Sequence, residues 1–396
     1  MTSEAQPAPI AIVSNGMTPY RLHVHRRIVR ELPQVRLFSV LTHDDASGKW
    51  NLAEMTDIGL THFGAGEPSG LQSKPTRAVH EFRKGGRIIE FLRAEAVRAV
   101  VLIGYNDPAR LRLIRWCRWH DVPCFVFGDS NIRGDRATGL RAVAKRLLLR
   151  WITGNAAGIF CCGSLGRQYF QKYGARPEQI SYFPYEPDYA LIQNIPAVQL
   201  QEARQRLELS EDRRRIVFSG RLVPEKRADL AIEAFQQIAE RRPEWDLVLL
   251  GDGSLRGQLE ASVRPKLRQR VRFMGFLPEQ SWVSRVYRIS DVLVLPSDYE
   301  PWALVVNEAA AAGMALVCSN VVGAAAELVR EGVNGYLFPP GDVHALRERL
   351  LDVTDPQNLA GYRAASPAIL DEWRCAGDPV KGLRRALEDA GVIPLE

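Results

Sequence analysis

The feature that most limits how this chain can fold is an alternation of short apolar runs with segments of helical periodicity, repeated through both halves. Apolar runs of this length, bounded by polar turns and without period-two alternation, read as strands buried on both faces. In the first half they fall at 10–13, 37–41, 99–103, 124–127, 158–162 and 180–183. In the second half they fall at 216–219, 247–250, 271–274, 292–295, 315–318 and 335–338. Strands that alternate with helices form parallel sheets, so the pattern predicts two doubly wound, Rossmann-like α/β domains. The length agrees, since 396 residues at ~150 per domain make two or three domains. The natural linker is 184–211, with Pro184, Pro187 and Pro196, a charged helix and a polar loop. The expected division is 1–195, 196–375 and a terminal helix within 376–396. That helix either packs on the second domain or crosses back to the first. Two such domains facing each other place a ligand cleft at the carboxyl ends of their strands.

Composition enters through what it excludes. A hydrophobic fraction of 46% and a charged fraction of 25% belong to a folded chain rather than a disordered one. The polar start, 1–8, has no basic region followed by an apolar one, so no signal peptide is expected. No apolar stretch reaches the ~20 residues that cross a bilayer; the richest, 303–318, is broken by Asn307 and Glu308. The six cysteines form no C-x-x-C pair and no cluster with histidine, so reduced, structural thiols and a cytoplasmic location are expected. His23, His25 and His120 lie in helical stretches and read as surface or packing residues.

The net charge of +6 is unevenly spread: between Arg133 and Arg150, five arginines and one lysine stand against Asp135. Over 137–151, Leu140, Val143, Ala144, Leu147 and Trp151 recur at helical spacing, which predicts an amphipathic helix with a basic face. Two readings stay open for it. It is a surface helix solvated by its charges, or it contacts anionic lipid headgroups or a phosphorylated acceptor, making the protein peripheral on the inner face of the membrane. Nucleic acid is not expected as a partner, because no aromatic-interleaved basic motif accompanies the helix.

Residues suited to chemistry concentrate in the second half. The strand at 292–295 runs into Pro296-Ser297-Asp298-Tyr299-Glu300-Pro301. Pro301 suits the first position of a helix, where its missing N–H needs no partner, and 304–312 favours helix until Gly313 caps it. Glu300 is therefore expected at a helix N-terminus with Glu308 inside the helix, roughly 12 Å apart at ~1.5 Å per residue. That separation is about the reach of a ribose–diphosphate–sugar, so the two carboxylates suit hydroxyls at its opposite ends. Free N–H groups at the helix start, around Trp302, Ala303 and Leu304, suit phosphate or sugar oxygens. Val305, Val306, Ala309 and Ala310 imply that Glu308 is buried, and a buried carboxylate needs a partner. Upstream, the strand at 216–219 ends in Gly220, where backbone can approach a ligand. Arg221 follows it, and Lys226 stands near the start of the helix 228–240. Two cations at such a turn suit a diphosphate whose negative charge grows as a group leaves. Gly251-Asp252-Gly253 misses the G-x-G-x-x-G spacing, which disfavours a nicotinamide dehydrogenase. No Asp-x-Asp motif is present, so no metal or other cofactor is expected.

Taken together, Ser219-Gly220-Arg221-x4-Lys226, Gly251-Asp252-Gly253, Gly275, and Glu300-Pro301-Trp302-x5-Glu308 resemble glycosyltransferase family 4, retaining enzymes of the GT-B fold. Gly323, Glu327, Gly332, Asn334-Gly335 and Gly341-Asp342 continue the pattern, which is close over 216–350 and looser before it. The resemblance implies transfer of a hexose-type sugar from a nucleotide-diphosphate donor, UDP favoured, to a glycan, glycolipid or other hydroxyl acceptor. By that resemblance Arg221 and Lys226 neutralise the diphosphate, Glu300 contacts the transferred sugar, Glu308 the ribose, and backbone near Phe276 and Leu277 reads the base. Gly16 would let the first loop approach the donor. That loop departs from the Gly-Gly the family often has: Asn15-Gly16-Met17-Thr18-Pro19-Tyr20-Arg21 resembles a bacterial subgroup with Pro-Tyr-Arg there. Tyr20 and Arg21 join Asn106 and Asp129 as acceptor-side candidates, with Gly104-Tyr105-Asn106-Asp107 standing where the family often has a histidine. Trp302-Ala303 replaces the commoner Gly-Phe-Gly. Two rivals remain: a sugar-nucleotide 2-epimerase on the same fold, and a non-catalytic sugar-nucleotide binding protein.

Overall fold

The first sheet has seven parallel strands: β1 (Ala8–Ser14), β2 (Val35–Leu41), β3 (Leu60–His62), β4 (Ala99–Ile103), β5 (Cys124–Phe127), β6 (Gly158–Cys161) and β7 (Ile180–Tyr182). Their order is β3-β2-β1-β4-β5-β6-β7, in a computed structural model that describes residues 6–43, 56–68, 70 and 72–395. Ile10 pairs with Leu37 on one side and Ala99 on the other, so the strand order reverses between β1 and β4. Ile10, Ala11, Ile12 and Val13 are fully buried, as strands covered by helices on both faces must be. Strand β3 is absent from the sequence expectation. It is a three-residue edge strand, half polar and partly exposed, and it follows Gly59, whose φ of +57° and contact with the Leu37 carbonyl leave no room for a side chain. His25 is buried and hydrogen-bonds Ser39 Oγ at 2.7 Å, with burial lowering its pKa to about 3. It is a neutral packing histidine.

The second sheet has six parallel strands: β8 (Arg214–Ser219), β9 (Trp245–Leu250), β10 (Val271–Gly275), β11 (Val292–Leu295), β12 (Ala315–Ser319) and β13 (Gly335–Phe338). Their order is β10-β9-β8-β11-β12-β13, again reversing beside the first strand, where Ile216 pairs with Val292. Phe218, Phe235, Trp245, Leu249, Val294 and Leu350 fill the core between this sheet and its helices.

The chain divides into Met1–Glu186 with Gly377–Glu396, and Pro187–Ala376. The break thus comes at 186 rather than 195, because Tyr189 and Ile192 are buried within the second unit, where the Tyr189 hydroxyl accepts from Asn307 Nδ2 at 3.3 Å. The terminal helix, Pro379–Asp389, belongs to the first unit. Asp378 caps it, accepting from Val380 N at 2.8 Å and Lys381 N at 3.0 Å. Gly382 lies so close to the Tyr182 backbone that a Cβ would collide with its carbonyl oxygen.

The basic segment forms the helix Gly139–Asn155, but the face it buries is not the one its periodicity suggests. Leu149, Ile152 and Thr153 are buried, while Leu140, Val143, Leu147 and Trp151 are 88%, 56%, 65% and 37% exposed. The helix carries two apolar stripes, and only one of them can meet the sheet. All six cysteines are free, with Cys375 exposed and the rest buried. No described helix is long and apolar enough to cross a membrane.

Candidate functional site

In a doubly wound sheet, ligands bind beyond the carboxyl ends of the strands at the point where strand order reverses. In the second unit that point lies between β8 and β11, and the loops leaving them carry Gly220, Arg221, Lys226 and Glu300. The loops are laced together. Asp298 N donates to Glu225 O at 2.9 Å, Arg227 pairs with Asp298 at 3.1 Å, and Lys226 Nζ pairs with a Glu300 carboxylate oxygen. Lys226 and Glu300 are both mostly buried, whereas the Arg221 side chain is 72% exposed, 3.5 Å from Glu225. The Gly251-Asp252-Gly253 turn explains its glycines through close packing on the neighbouring loop. A Cβ at Gly251 would strike the Gly220 carbonyl, and one at Gly253 the Leu222 backbone. Leu222 N donates to Asp252 O at 3.0 Å across the same contact.

Beyond Glu300 the structure departs from the expected helix start. Pro301 does not open it; the helix is Leu304–Ala311, and residues 300–303 form a loop. Ala303 sits at φ +75°, ψ +81°, a left-handed conformation that costs a residue with a Cβ ~1–3 kcal/mol and clusters at functional loops. The roughly 12 Å helical separation of the two carboxylates therefore does not hold for this segment. The loop is clamped from outside: Gly323 N donates to Glu300 O at 3.2 Å and Ala324 N to Trp302 O at 2.8 Å. The Trp302 side chain does not line the site. It is buried, its ring 6.0 Å from that of Trp373, so Trp302 contributes backbone only. No side chain caps the helix at Leu304; in its first turn Val306 N donates to the Ala303 carbonyl at 3.0 Å.

Glu308 is buried as its apolar neighbours imply, and the partner it needs is Gln280, whose Nε2 donates at 2.8 Å. Burial pushes its pKa up to about 7 against the pull of Gln280 and the Tyr287 hydroxyl. Tyr287 in turn hydrogen-bonds Ser219 Oγ at 2.6 Å, joining Glu308 to the end of β8. Gln280 and Tyr287 escape a reading of motifs because both lie on a helix, Gln280–Arg288, that only tertiary packing brings beside Glu308. Phe276 is exposed and Leu277 half-buried in the loop after β10, which Gly251 N ties in by donating to Gly275 O at 2.8 Å.

Gly16, Tyr20, Arg21, Asn106 and Asp129 belong to the first unit, near the carboxyl ends of β1, β4 and β5. Arg21 donates to the Gly16 carbonyl at 2.6 Å, and Tyr20 packs on Tyr185 with ring centroids 4.9 Å apart. The Tyr185 hydroxyl donates to Asp129 at 3.3 Å, and burial raises the Asp129 pKa against that bond and the nearby Arg21. Tyr20, Arg21 and Asp129 thus gather around Tyr185, which the sequence reading missed, while Gly16 is held by Arg21 and Asn106 is exposed on the loop after β4. His43, Glu67 and Glu81 come close enough together to ligate a metal, but Lys84 Nζ sits among them within 3.1 Å of each. The cluster is thus already occupied by a buried lysine side chain.

Residues 200–363, all within the second unit, match the family model of glycosyl transferases group 1. Alpha-D-kanosaminyltransferase of Streptomyces kanamyceticus is 31% identical over 193 residues, 47% of this chain and 49% of that protein. The UDP-Gal:alpha-D-GlcNAc-diphosphoundecaprenol alpha-1,3-galactosyltransferase of Escherichia coli is 26% identical over 249 residues, 60% of this chain and 62% of that protein. Across curated relatives the matched region spans between 18% and 62% of their own length. The structure of HepE from Anabaena in complex with UDP aligns with a TM-score of 0.73 at 18% identity, covering 98% of this chain and 100% of that one. The fold is therefore GT-B, α/β with two parallel sheets.

Proposed function

We propose that this chain is a retaining, metal-independent glycosyltransferase that moves a hexose-type sugar from a nucleoside diphosphate, UDP favoured, to a hydroxyl of a glycan or glycolipid. The observation that carries the reading is the Lys226–Glu300 pair at the strand switch point, with Arg221 exposed beside it and Glu308 buried behind it. In the donor-free protein the two charges neutralise each other. A diphosphate arriving at Arg221 competes for the Lys226 ammonium and releases the Glu300 carboxylate to accept from hydroxyls of the transferred sugar. As the bond from the anomeric carbon to the phosphate oxygen breaks, charge grows on the diphosphate, opposed by both cations and by the positive end of the helix that starts at Leu304. The acceptor oxygen bonds to that carbon from the face the diphosphate leaves, its proton passing to the departing oxygen, so configuration is retained. This front-face course follows from the resemblance to family 4. Glu308 holds the ribose hydroxyls, and loop 276–277 meets the base. Tyr20, Arg21, Asn106 and Asp129 are the acceptor-side residues. UDP is favoured because HepE is known with UDP and with UDP-glucose, and the Escherichia coli relative is named for UDP-Gal.

The test pairs initial rates with calorimetric titration of UDP into wild type, Glu300→Gln and Glu308→Gln. Glu300→Gln should lower kcat ~10²-fold or more, as for a loss of ~3 kcal/mol in the transition state, with UDP affinity little changed. Glu308→Gln should weaken UDP itself. The opposite split reverses the assignment of the two carboxylates, and no effect from either removes the donor site from this place. Turnover abolished by EDTA and restored by Mn²⁺ would overturn metal independence. Conversion of UDP-sugar without any acceptor would favour the epimerase.

A further inference from the structure

The helix Gly139–Asn155 presents an apolar stripe to solvent on the side opposite its packed face. At ~100° per residue, Leu140, Val143, Leu147 and Trp151 fall within an arc of roughly 100°, and the buried Leu149, Ile152 and Thr153 lie about half a turn away. In the first ten residues no side chain is fully buried and only Leu148, half-buried, packs on the core among the leucines, so packing does not account for Leu140, Val143 and Leu147. Cations flank the stripe: Arg141 on one side, Arg146 and Arg150 on the other, all exposed and with no carboxylate partner among the described residues. The helix holds no acidic residue, and the next one along the chain after Asp135 is Glu178. Asp135 itself is engaged, accepting from Lys145 at 2.8 Å and Lys172 at 2.7 Å. Both lysines are thereby turned towards that carboxylate, and the arginines border the stripe.

We infer that this face docks on an anionic lipid surface, the four apolar side chains entering the headgroup–acyl boundary and the arginines meeting lipid phosphates. The two components suit a bilayer better than a protein partner. Guanidinium groups on both borders of a single apolar stripe match a laterally continuous negative surface, and Trp151 supplies the aromatic that favours the interface. Each basic residue near an anionic surface raises partitioning roughly five-fold, so three arginines give ~10²-fold preference for anionic over neutral vesicles. The inference stands apart from the donor site, because its readout needs no turnover.

The experiment is co-sedimentation of the full chain with vesicles of phosphatidylcholine alone and of phosphatidylcholine with about one-third phosphatidylglycerol. Wild type should bind the anionic vesicles, leave the neutral ones in solution, and lose most binding at ~0.5 M salt, where charges are strongly screened. Leu140→Ser/Val143→Ser/Leu147→Ser and, separately, Arg146→Glu/Arg150→Glu should each weaken binding at least ~10-fold with an unchanged unfolding midpoint, since the replaced side chains are exposed. Binding by the triple serine variant equal to that of wild type would overturn the proposal, as would absence of binding at low salt. A wild-type dimer in size-exclusion chromatography that the serine variant abolishes, without vesicle binding, would assign the stripe to a second copy of the chain and overturn it too.

Discussion

Glu308 concentrates in one side chain the tension between solvation and ligand recognition. The ribose-binding role proposed for Glu308 calls for an ionised carboxylate, yet burial raises its pKa to about 7. Between about pH 4.5 and 7 the folded protein holds a proton there that the unfolded chain has released, so stability falls as pH rises through that window. At ~1.4 kcal/mol per pH unit the loss saturates near 3 kcal/mol above pH 7. Glu308→Gln keeps the side-chain volume and removes the ionisation. Urea unfolding from pH 4.5 to 8 should therefore show the variant gaining on wild type up to about pH 7 and holding level beyond it. A difference that stays flat or runs the other way would show that the carboxylate is solvated in the folded state. Glu308 is legible in the sequence as a buried acid because alanine and valine surround it, whereas its partner Gln280 is not, being 28 positions away on another helix.

At the scale of the element, the helix Gly139–Asn155 separates periodicity from burial. Its spacing marks one apolar stripe, and the sheet covers the other. Leu149→Ala should cost ~2–5 kcal/mol, as for a core leucine, while Leu147→Ala should cost no more than ~0.5 kcal/mol despite the identical residue type. Thermal or denaturant unfolding of the two variants decides which face is packed; equal losses would show that both stripes are covered. The loop at 300–303 shows a similar limit. Local preference favours Pro301 at a helix start, but contacts from 323–324 hold the loop open and delay the helix to Leu304. Strand positions were readable almost throughout because parallel strands are continuous apolar runs, and the exception, β3, is short and polar at a sheet edge.

At the scale of the whole molecule, the chain passes between its two units twice, after Glu186 and before Gly377, and both ends are fastened by one residue. Arg27 donates to Glu186 at 2.7 Å, to Asp378 at 2.8 Å and to Glu31 at 2.8 Å, all within the first unit. Arg27→Ala leaves Glu186 and Asp378 buried without their cation, and breaking a buried pair in this way typically costs ~3–5 kcal/mol. The Arg27 guanidinium, helped by Arg30, also holds the Glu31 pKa down to about 2. A depressed carboxylate contributes stability that is present above its unfolded pKa and lost as pH falls through the folded one. The gap between wild type and Arg27→Ala should accordingly narrow as pH drops from about 4.5 towards 2. Chemical denaturation across that range measures it, and a gap independent of pH would assign the loss to packing alone.

By itself the sequence determined what depends on neighbours along the chain: the parallel strands, the two α/β sets, and the placing of Arg221, Lys226, Glu300 and Glu308 just after two strands. Each of these is written in local periodicity or in spacings of a few residues. Only the tertiary structure decided what depends on distant segments meeting. It moved the boundary to 186, gave the terminal helix to the first unit, turned Trp302 inward, set Ala303 in a left-handed conformation, and chose which stripe of the basic helix faces the core. Those outcomes follow from competition for a limited buried surface, which no single stretch of chain records.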